Sequence, residues 1–78
     1  MTQVLSPVPG TFYTQAAPGE PQFKQPGDSV AAGDVIGLIE VMKTFIEVKA
    51  ETSGTFKEFL AEDGAAINAG QPLAELEG

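Results

Sequence analysis

The sequence predicts an all-β protein: a flattened antiparallel β-barrel or sandwich of about eight short strands with pseudo-twofold symmetry. Two observations indicate this fold class. Turn-forming Pro-Gly, Ala-Gly and Asp-Gly pairs recur along the 78 residues, and the apolar segments between them are short and rich in Val, Ile and Phe, which favour strands. The second observation is an internal repeat, from which the symmetry follows.

The repeat aligns residues 27–40 with residues 64–77 at a constant offset of 37 positions, so that glycines and apolar residues coincide. Upstream, Gly10-Thr11-Phe12 matches Gly54-Thr55-Phe56 at an offset of 44. The glycines recur because each half needs the same turns, and glycine adopts positive φ without steric cost. Each half is therefore expected to contribute strands to both faces of one barrel. Val4-Leu5 and Val48-Lys49 should then occupy equivalent places.

Composition limits the chain to one small domain, expected to span residues 1–78, in which 42% of the residues are apolar and can form a core. The chain contains no cysteine and no histidine. It therefore lacks a thiol nucleophile, the usual general base and two common metal ligands. We expect no metal site and no catalytic centre of its own.

Charge and hydropathy exclude two classes of partner. The formal net charge is −7, from 11 acidic and 4 basic residues. Nucleic acid is a poor partner because phosphate binding relies on clustered Lys and Arg. The N-terminal sequence lacks the basic start and apolar run of a secretion signal, and no apolar stretch approaches membrane-spanning length. We expect a soluble, cytoplasmic protein without a membrane partner.

The link between the two repeat copies predicts a tight, protruding hairpin with Met42 and Lys43 at its tip, since the first copy ends at Glu40. Turn tips favour Gly, Asn, Asp and Ser. A large apolar thioether beside an amine at such a tip instead indicates a surface that another protein recognises. The alternatives are a solvated loop lysine for Lys43 and a core-filling side chain for Met42.

The segment Glu40-Val41-Met42-Lys43-Thr44 resembles the attachment motif Glu-Ala-Met-Lys-Met of biotin-dependent carboxylases. The resemblance covers the chain from Ser6 through Glu77. It identifies the chain as similar to the biotinyl domains of the biotin/lipoyl attachment family, in particular those of bacterial acetyl-CoA carboxylase carriers. Their fold is the pseudo-twofold barrel-sandwich hybrid. Val and Thr at positions 41 and 44 depart from the motif and leave the reacting amine unchanged.

The resemblance implies that Lys43 carries biotin through an amide made by a biotin protein ligase, which would recognise Met42 and Glu40. A solvated strand end is an equal alternative for Glu40, since its repeat counterpart Glu77 has no such role. The resemblance further implies a non-catalytic carrier whose biotin moves as a swinging arm between a biotin carboxylase and a carboxyltransferase. Acetyl-CoA carboxylase, and hence fatty acid biosynthesis, is the implied context.

An insertion lies at about residues 13–24, because the two offsets of 37 and 44 differ by seven residues. Its prolines and glycine predict a stiff projecting loop rather than a strand. In position and length it resembles the thumb of the bacterial carriers, which lies beside the biotin. Thr14 and Gln15 are the polar candidates for contacts with the ureido ring. A tolerated surface insertion is the alternative.

Two other functions fit the same shape. A lipoyl domain has its lysine on the equivalent hairpin, typically directly after an Asp and without a thumb, so Met42 and the insertion argue against it. An unmodified adaptor module would need no Met-Lys pair at the tip. The remaining lysines, at positions 24, 49 and 57, lie outside the motif and are expected to be ordinary surface charges.

Overall fold

A computed structural model describes residues 2–77; Met1 and Gly78, the two ends of the expected domain, lie outside the described residues. Within that range the chain forms two four-stranded antiparallel sheets and no helix. The strands are β1 (Thr2–Leu5), β2 (Gly10–Tyr13), β3 (Ser29–Val30), β4 (Val35–Val41), β5 (Thr44–Lys49), β6 (Gly54–Phe59), β7 (Ala65–Ile67) and β8 (Pro72–Glu77). The expected all-β class with eight short strands is confirmed.

The strand order confirms the pseudo-twofold symmetry. One sheet has the order β5-β4-β2-β7 and the other has β1-β8-β6-β3. The repeat offsets convert the first order into the second, strand by strand. The hydrogen bonds repeat as well: the Gly33 amide donates to the Ala50 carbonyl at 2.8 Å, and the Gly70 amide donates to the Ser6 carbonyl at 2.7 Å. Both glycines have positive φ, 93° and 81°, as the repeated turns require.

The core lies between the sheets and is built from repeat-related pairs. Phe12 and Phe56 occupy equivalent places in β2 and β6, and both are buried. Phe59 packs against both rings, with centroid distances of 6.0 Å and 4.7 Å. Each buried side chain of this size contributes about 1.5–3 kcal/mol through the hydrophobic effect. Alternation along each strand turns one row of side chains into this core and the other row outward.

The two ends of the barrel differ in what they carry. At one end lie the turn between β4 and β5 and the four-residue connections 6–9 and 68–71. The register confirms that these meet, because Gly10 pairs with Ile67 and Thr11 pairs with Glu40. At the opposite end lie Thr2 and Glu77, together with the connections 31–34 and 50–53. The described ends of the chain therefore point away from the β4–β5 turn.

Candidate functional site

The hairpin of β4 and β5 closes through only two residues. Val41 pairs with Thr44, and Met42 and Lys43 between them have φ angles of 49° and 67°. Positive φ at both central residues is the geometry of a type I′ turn, whose twist matches that of the two flanking strands. The tight, protruding hairpin predicted from the sequence is confirmed.

The residues at this tip are unfavourable for the turn they make. They are the only non-glycine residues with positive φ among residues 2–77. The left-handed conformation costs a side-chain-bearing residue roughly 1–2 kcal/mol, which is why such turns usually contain Asn and Gly. A methionine and a lysine kept here in spite of that cost indicate that their side chains serve a purpose other than stability.

Both side chains at the tip face solvent. Met42 is 93% exposed, so it is not a core-filling residue. Lys43 is exposed, and its ammonium forms no salt bridge with the part of the chain that the structure describes. The arrangement presents an accessible primary amine on a rigid turn, which an acyl donor can approach without rearrangement of the fold.

Glu40 lies three residues before the lysine, half-buried on the outer face of β4. Its carboxylate accepts a long hydrogen bond, 3.4 Å, from the Tyr13 hydroxyl of β2. Partial burial, followed by the nearby negative charge of Glu40 and its hydrogen bond, raises the pKa of Tyr13 above its usual value. The tyrosine therefore stays protonated and remains a hydrogen-bond donor beside the hairpin.

An aromatic pair covers the outer face next to the turn. Phe45, two residues after the lysine, is 57% exposed, and its ring centroid lies 6.3 Å from that of Tyr13. We did not single out Phe45 from the sequence. The signal was present, because alternation in β5 turns Ile46 and Val48 inward and leaves Phe45 outward. An exposed aromatic residue at an outward position is the unusual feature.

The insertion forms a small hairpin-like loop. Residues 14–28 separate β2 from β3, and the loop at residues 14–23 contains one isolated bridge between Gln15 and Gln22. The amide of Phe23 donates to the carbonyl of Thr14 at 2.9 Å and closes its base. We call residues 14–23 the thumb.

The thumb and the aromatic pair enclose a groove of about 420 Å³. Its lining consists of thumb residues 15–19, the two aromatic rings of Tyr13 and Phe45, and Asp63 from the second half of the chain. Because Phe45 lies two residues from Lys43, the groove lies close to the hairpin tip. A small, partly apolar group attached to that lysine therefore has a concave surface within its neighbourhood.

The two polar thumb candidates are placed differently. Gln15 lines the groove, and its side-chain amide donates to the carbonyl of Ala17 at 3.2 Å. Thr14 is only 2% exposed and hydrogen bonds to Asp63 rather than facing the groove. Its burial does not favour a direct contact with a bound group.

Lys24 and Lys57 differ from the ordinary surface charges that we expected. The side chain of Lys24 is mostly buried, forms a 3.2 Å ion pair with Asp34 and donates to the carbonyl of Ser29 at 3.1 Å. A hydrogen bond from the Ala31 amide, followed by the Lys24 contact, holds the pKa of Asp34 below its usual value.

Lys57 is half-buried, 3.4 Å from Glu75. Of the three lysines outside the motif, only Lys49 lies largely in solvent. Sequence position alone did not reveal these partners, because they depend on the folded chain: Lys57 and Glu75 lie on the paired strands β6 and β8, and Lys24 and Asp34 lie in connections between strands.

Among residues 2–77, no three aspartate or glutamate side chains, or other common metal ligands, lie together in a group that could hold a metal ion. No helix in this part of the chain is long and apolar enough to cross a membrane.

The fold and the site together define a class: small barrel-sandwich domains that present one exposed lysine at the tip of a hairpin. The family model described as "Biotin-requiring enzyme", a biotin/lipoyl family, matches residues 2–76. The chain belongs to this family. The resemblance drawn from residues 40–44 is thereby confirmed.

Three relatives illustrate the similarity. The chloroplastic biotin carboxyl carrier protein of acetyl-CoA carboxylase 2 from Arabidopsis thaliana is 48% identical over 68 residues, covering 87% of this chain and 27% of that protein. The corresponding carrier from Pseudomonas aeruginosa is 41% identical over 70 residues, covering 90% and 45%. The crystal structure of Kluyveromyces lactis urea carboxylase matches with a TM-score of 0.77 and 32% identity, over 96% of this chain and 6% of that one. The chain thus spans less than half the length of these relatives.

Proposed function

We propose that this chain is a biotin carboxyl carrier with biotin joined covalently to Lys43. The observation that carries the proposal is the turn itself: an exposed lysine without a salt bridge, held in an unfavourable backbone conformation beside an exposed methionine. Membership of the biotin/lipoyl family and the names of the relatives support biotin as the attached group.

The described site fits such a group. Attachment needs a primary amine that can lose its proton and attack an acyl adenylate; an amide forms and AMP leaves. Lys43 supplies this amine, and the two-residue turn holds it clear of the barrel. We infer that the ligase recognises Met42 and Glu40, because the first is the most exposed large apolar side chain of the described chain and the second lies on the adjacent strand face.

When bound, biotin supplies a ring nitrogen that accepts and releases a carboxyl group. The protein's own part is to tether, and a covalent tether raises the effective concentration of the group at each active site that it visits. The groove between the thumb and the Tyr13–Phe45 pair offers a resting surface, with the Gln15 amide as the candidate polar contact. Thr14 instead anchors the base of the thumb through its hydrogen bonds to Asp63.

The proposed partners are a biotin protein ligase, a biotin carboxylase and a carboxyltransferase, in the cytoplasm. The names of the relatives favour acetyl-CoA carboxylase, and so a place in fatty acid biosynthesis. The chain itself is proposed to be non-catalytic. A lipoyl domain remains the competing function of the same fold, and an unmodified adaptor is a third.

Intact mass after incubation with biotin, ATP and a biotin protein ligase tests the proposal. We expect the mass to rise by one biotinyl group in the parent protein, and no rise in Lys43→Arg, because arginine keeps the charge but has no acylatable amine. Lys49→Arg is the matched control on the same hairpin and should still be modified. A lipoyl increment on protein from cells would support the lipoyl domain, and no increment of either kind would support the adaptor.

A further inference from the structure

The thumb is held to the barrel at both of its ends by an aspartate. At its start, Asp63 accepts a hydrogen bond from the Thr14 amide at 2.8 Å and a weaker one from the Thr14 hydroxyl at 3.3 Å. Just beyond its end, Lys24 is paired with Asp34 at 3.2 Å. Asp34 belongs to the same half of the chain as the thumb, whereas Asp63 reaches it from the other half.

The contact at Asp63 continues into the thumb. The buried Thr14 hydroxyl, which donates to Asp63, accepts from the side-chain amide of Gln22 at 3.4 Å. The Thr14 carbonyl in turn accepts from the Phe23 amide at 2.9 Å. Because the acceptor is a charged carboxylate, a hydrogen bond from Thr14 to Asp63 is stronger than the same bond to a neutral oxygen. Asp63, from the second half of the chain, thereby holds Thr14 in place. Thr14 in turn is hydrogen bonded to Gln22 and Phe23 on the other side of the thumb.

Asp63 also marks a departure from the internal repeat. The turn Glu62-Asp63-Gly64 corresponds at the offset of 37 to Gln25-Pro26-Gly27, so proline stands where the second half has the aspartate. The backbone of the two turns is the same: Gly27 and Gly64 both have positive φ, and both donate to the carbonyl of the repeat-related phenylalanine. The turn therefore does not require an aspartate. The aspartate occurs in the turn that faces the insertion. The equivalent turn, which faces no insertion, has proline in its place.

We propose that Asp63 is the positioning residue of the thumb: its hydrogen bonds to Thr14 keep residues 15–19 above Tyr13 and Phe45. The groove then exists before any group enters it, and ordering the thumb takes no free energy from binding. The role deepens the proposed function, on which it rests, because the groove matters to the carrier only if Lys43 is modified. Asp63 lies outside the hairpin, so attachment itself should not depend on it.

Amide hydrogen exchange tests the structural step without any biotin. Asp63→Ala should raise the exchange rate of the Phe23 amide and its thumb neighbours by about tenfold, the effect of losing hydrogen bonds to a charged group. Asp63→Asn keeps an acceptor oxygen and should restore most of the protection. Glu62→Ala removes the same charge from the neighbouring exposed residue and should leave exchange unchanged. Unchanged exchange in Asp63→Ala, or an equal rise in Glu62→Ala, would overturn the proposal.

Two enzymatic readouts test the functional step with the biotinylated protein. As a substrate of biotin carboxylase, Asp63→Ala should lose kcat/KM by about tenfold, in line with the more open thumb. Its rate of biotinylation should equal that of the parent, since residues 40–44 are untouched. Equal losses in both rates would indicate general damage, and an open thumb with full carboxylation would show that thumb position is irrelevant; either result contradicts the proposal. Failure of the parent to accept biotin would refute the proposed function alone, and the exchange comparison would still decide whether Asp63 holds the thumb.

Discussion

At the scale of single residues, Met42 and Lys43 trade stability for accessibility. Both lie in the left-handed region although neither is glycine or asparagine. The turn type leaves them no choice, because a type I′ turn needs positive φ at both central residues. The sequence predicted the tight turn from its position between the repeat copies. It did not predict these dihedral angles, because Met and Lys have no intrinsic preference for them.

Replacing the methionine should therefore stabilise the protein. In Met42→Asn we expect the free energy of unfolding to rise by about 1 kcal/mol, because asparagine tolerates the left-handed conformation at the first position of a type I′ turn. Denaturant titration measures the change. Met42→Leu is the control: it keeps the strain and the apolar surface, and its stability should match that of the parent. A loss of stability in Met42→Asn would show that Met42 makes contacts that the fold needs.

The same substitution should impair recognition. If the ligase reads the exposed thioether, Met42→Asn should be biotinylated more slowly while Met42→Leu stays close to the parent. An increase in stability together with a decrease in modification rate would place this residue among those retained for function at the expense of stability.

At the scale of elements, the hairpin depends on how closely β2 approaches β4. Gly37 of β4 faces the buried ring of Phe12, and a β-carbon at this position would lie 2.5 Å from the ring's Cε1 atom. Glycine is needed here for space, not for φ. The repeated glycines were predicted to be turn residues, but Gly37 aligns with Ala74 in the repeat and lies in mid-strand, so its role became clear only from the packing.

Gly37→Ala should lower the free energy of unfolding by about 2 kcal/mol, because the fully buried Phe12 has little room to move. Denaturant unfolding of the single variants and of the double variant Gly37→Ala/Phe12→Leu measures the coupling. The smaller leucine should relieve the overlap, so the double variant should lose less than the two single losses combined. Strict additivity would mean that the two residues do not compete for the same space.

For the thumb, the sequence predicted a loop but not how that loop is attached to the barrel. Prolines and the offset between repeats predicted a projecting loop, and none of the eight strands of the described chain lies within residues 14–23. Its attachment was not predictable, because Thr14 and Asp63 are 49 positions apart, and nothing local relates them. Of the two thumb residues suggested as contacts, only Gln15 lines the groove. Thr14, with the same polar character in the sequence, is used for support.

At the scale of the whole molecule, the duplication explains why the lysine has no counterpart. The hairpin connects β4 to β5, and the symmetry-related strands are β8 and β1. Between those two strands there is no hairpin, because one ends at Glu77 and the other begins at Thr2. The repeat could be read from the sequence in full, since glycine and apolar positions mark it in both halves. The tip therefore lies at the junction of the two halves, and each half contributes one of the described chain ends.

Modification should change the charge of the whole molecule. Acylation of Lys43 removes one of the 4 basic charges and makes the net charge of −7 more negative by one unit. The modified protein should therefore bind an anion exchanger more tightly and elute at higher salt than the unmodified one. Lys43→Arg treated with the same ligase should elute at a single, unshifted position. Identical elution of the parent before and after a confirmed mass increase would contradict the loss of this charge.

The separation of the hairpin tip from the described chain ends has a mechanical consequence. The seven residues of β4 span about 20 Å at roughly 3.3 Å per residue, and they run from the end that holds Thr2 and Glu77 to the end that holds Lys43. Any linker attached at Thr2 or Glu77 therefore begins on the far side of a stiff spacer. The barrel itself adds that distance to the reach of the lysine. A flexible linker of equal length would lose conformational freedom at each docking site, and the rigid barrel does not.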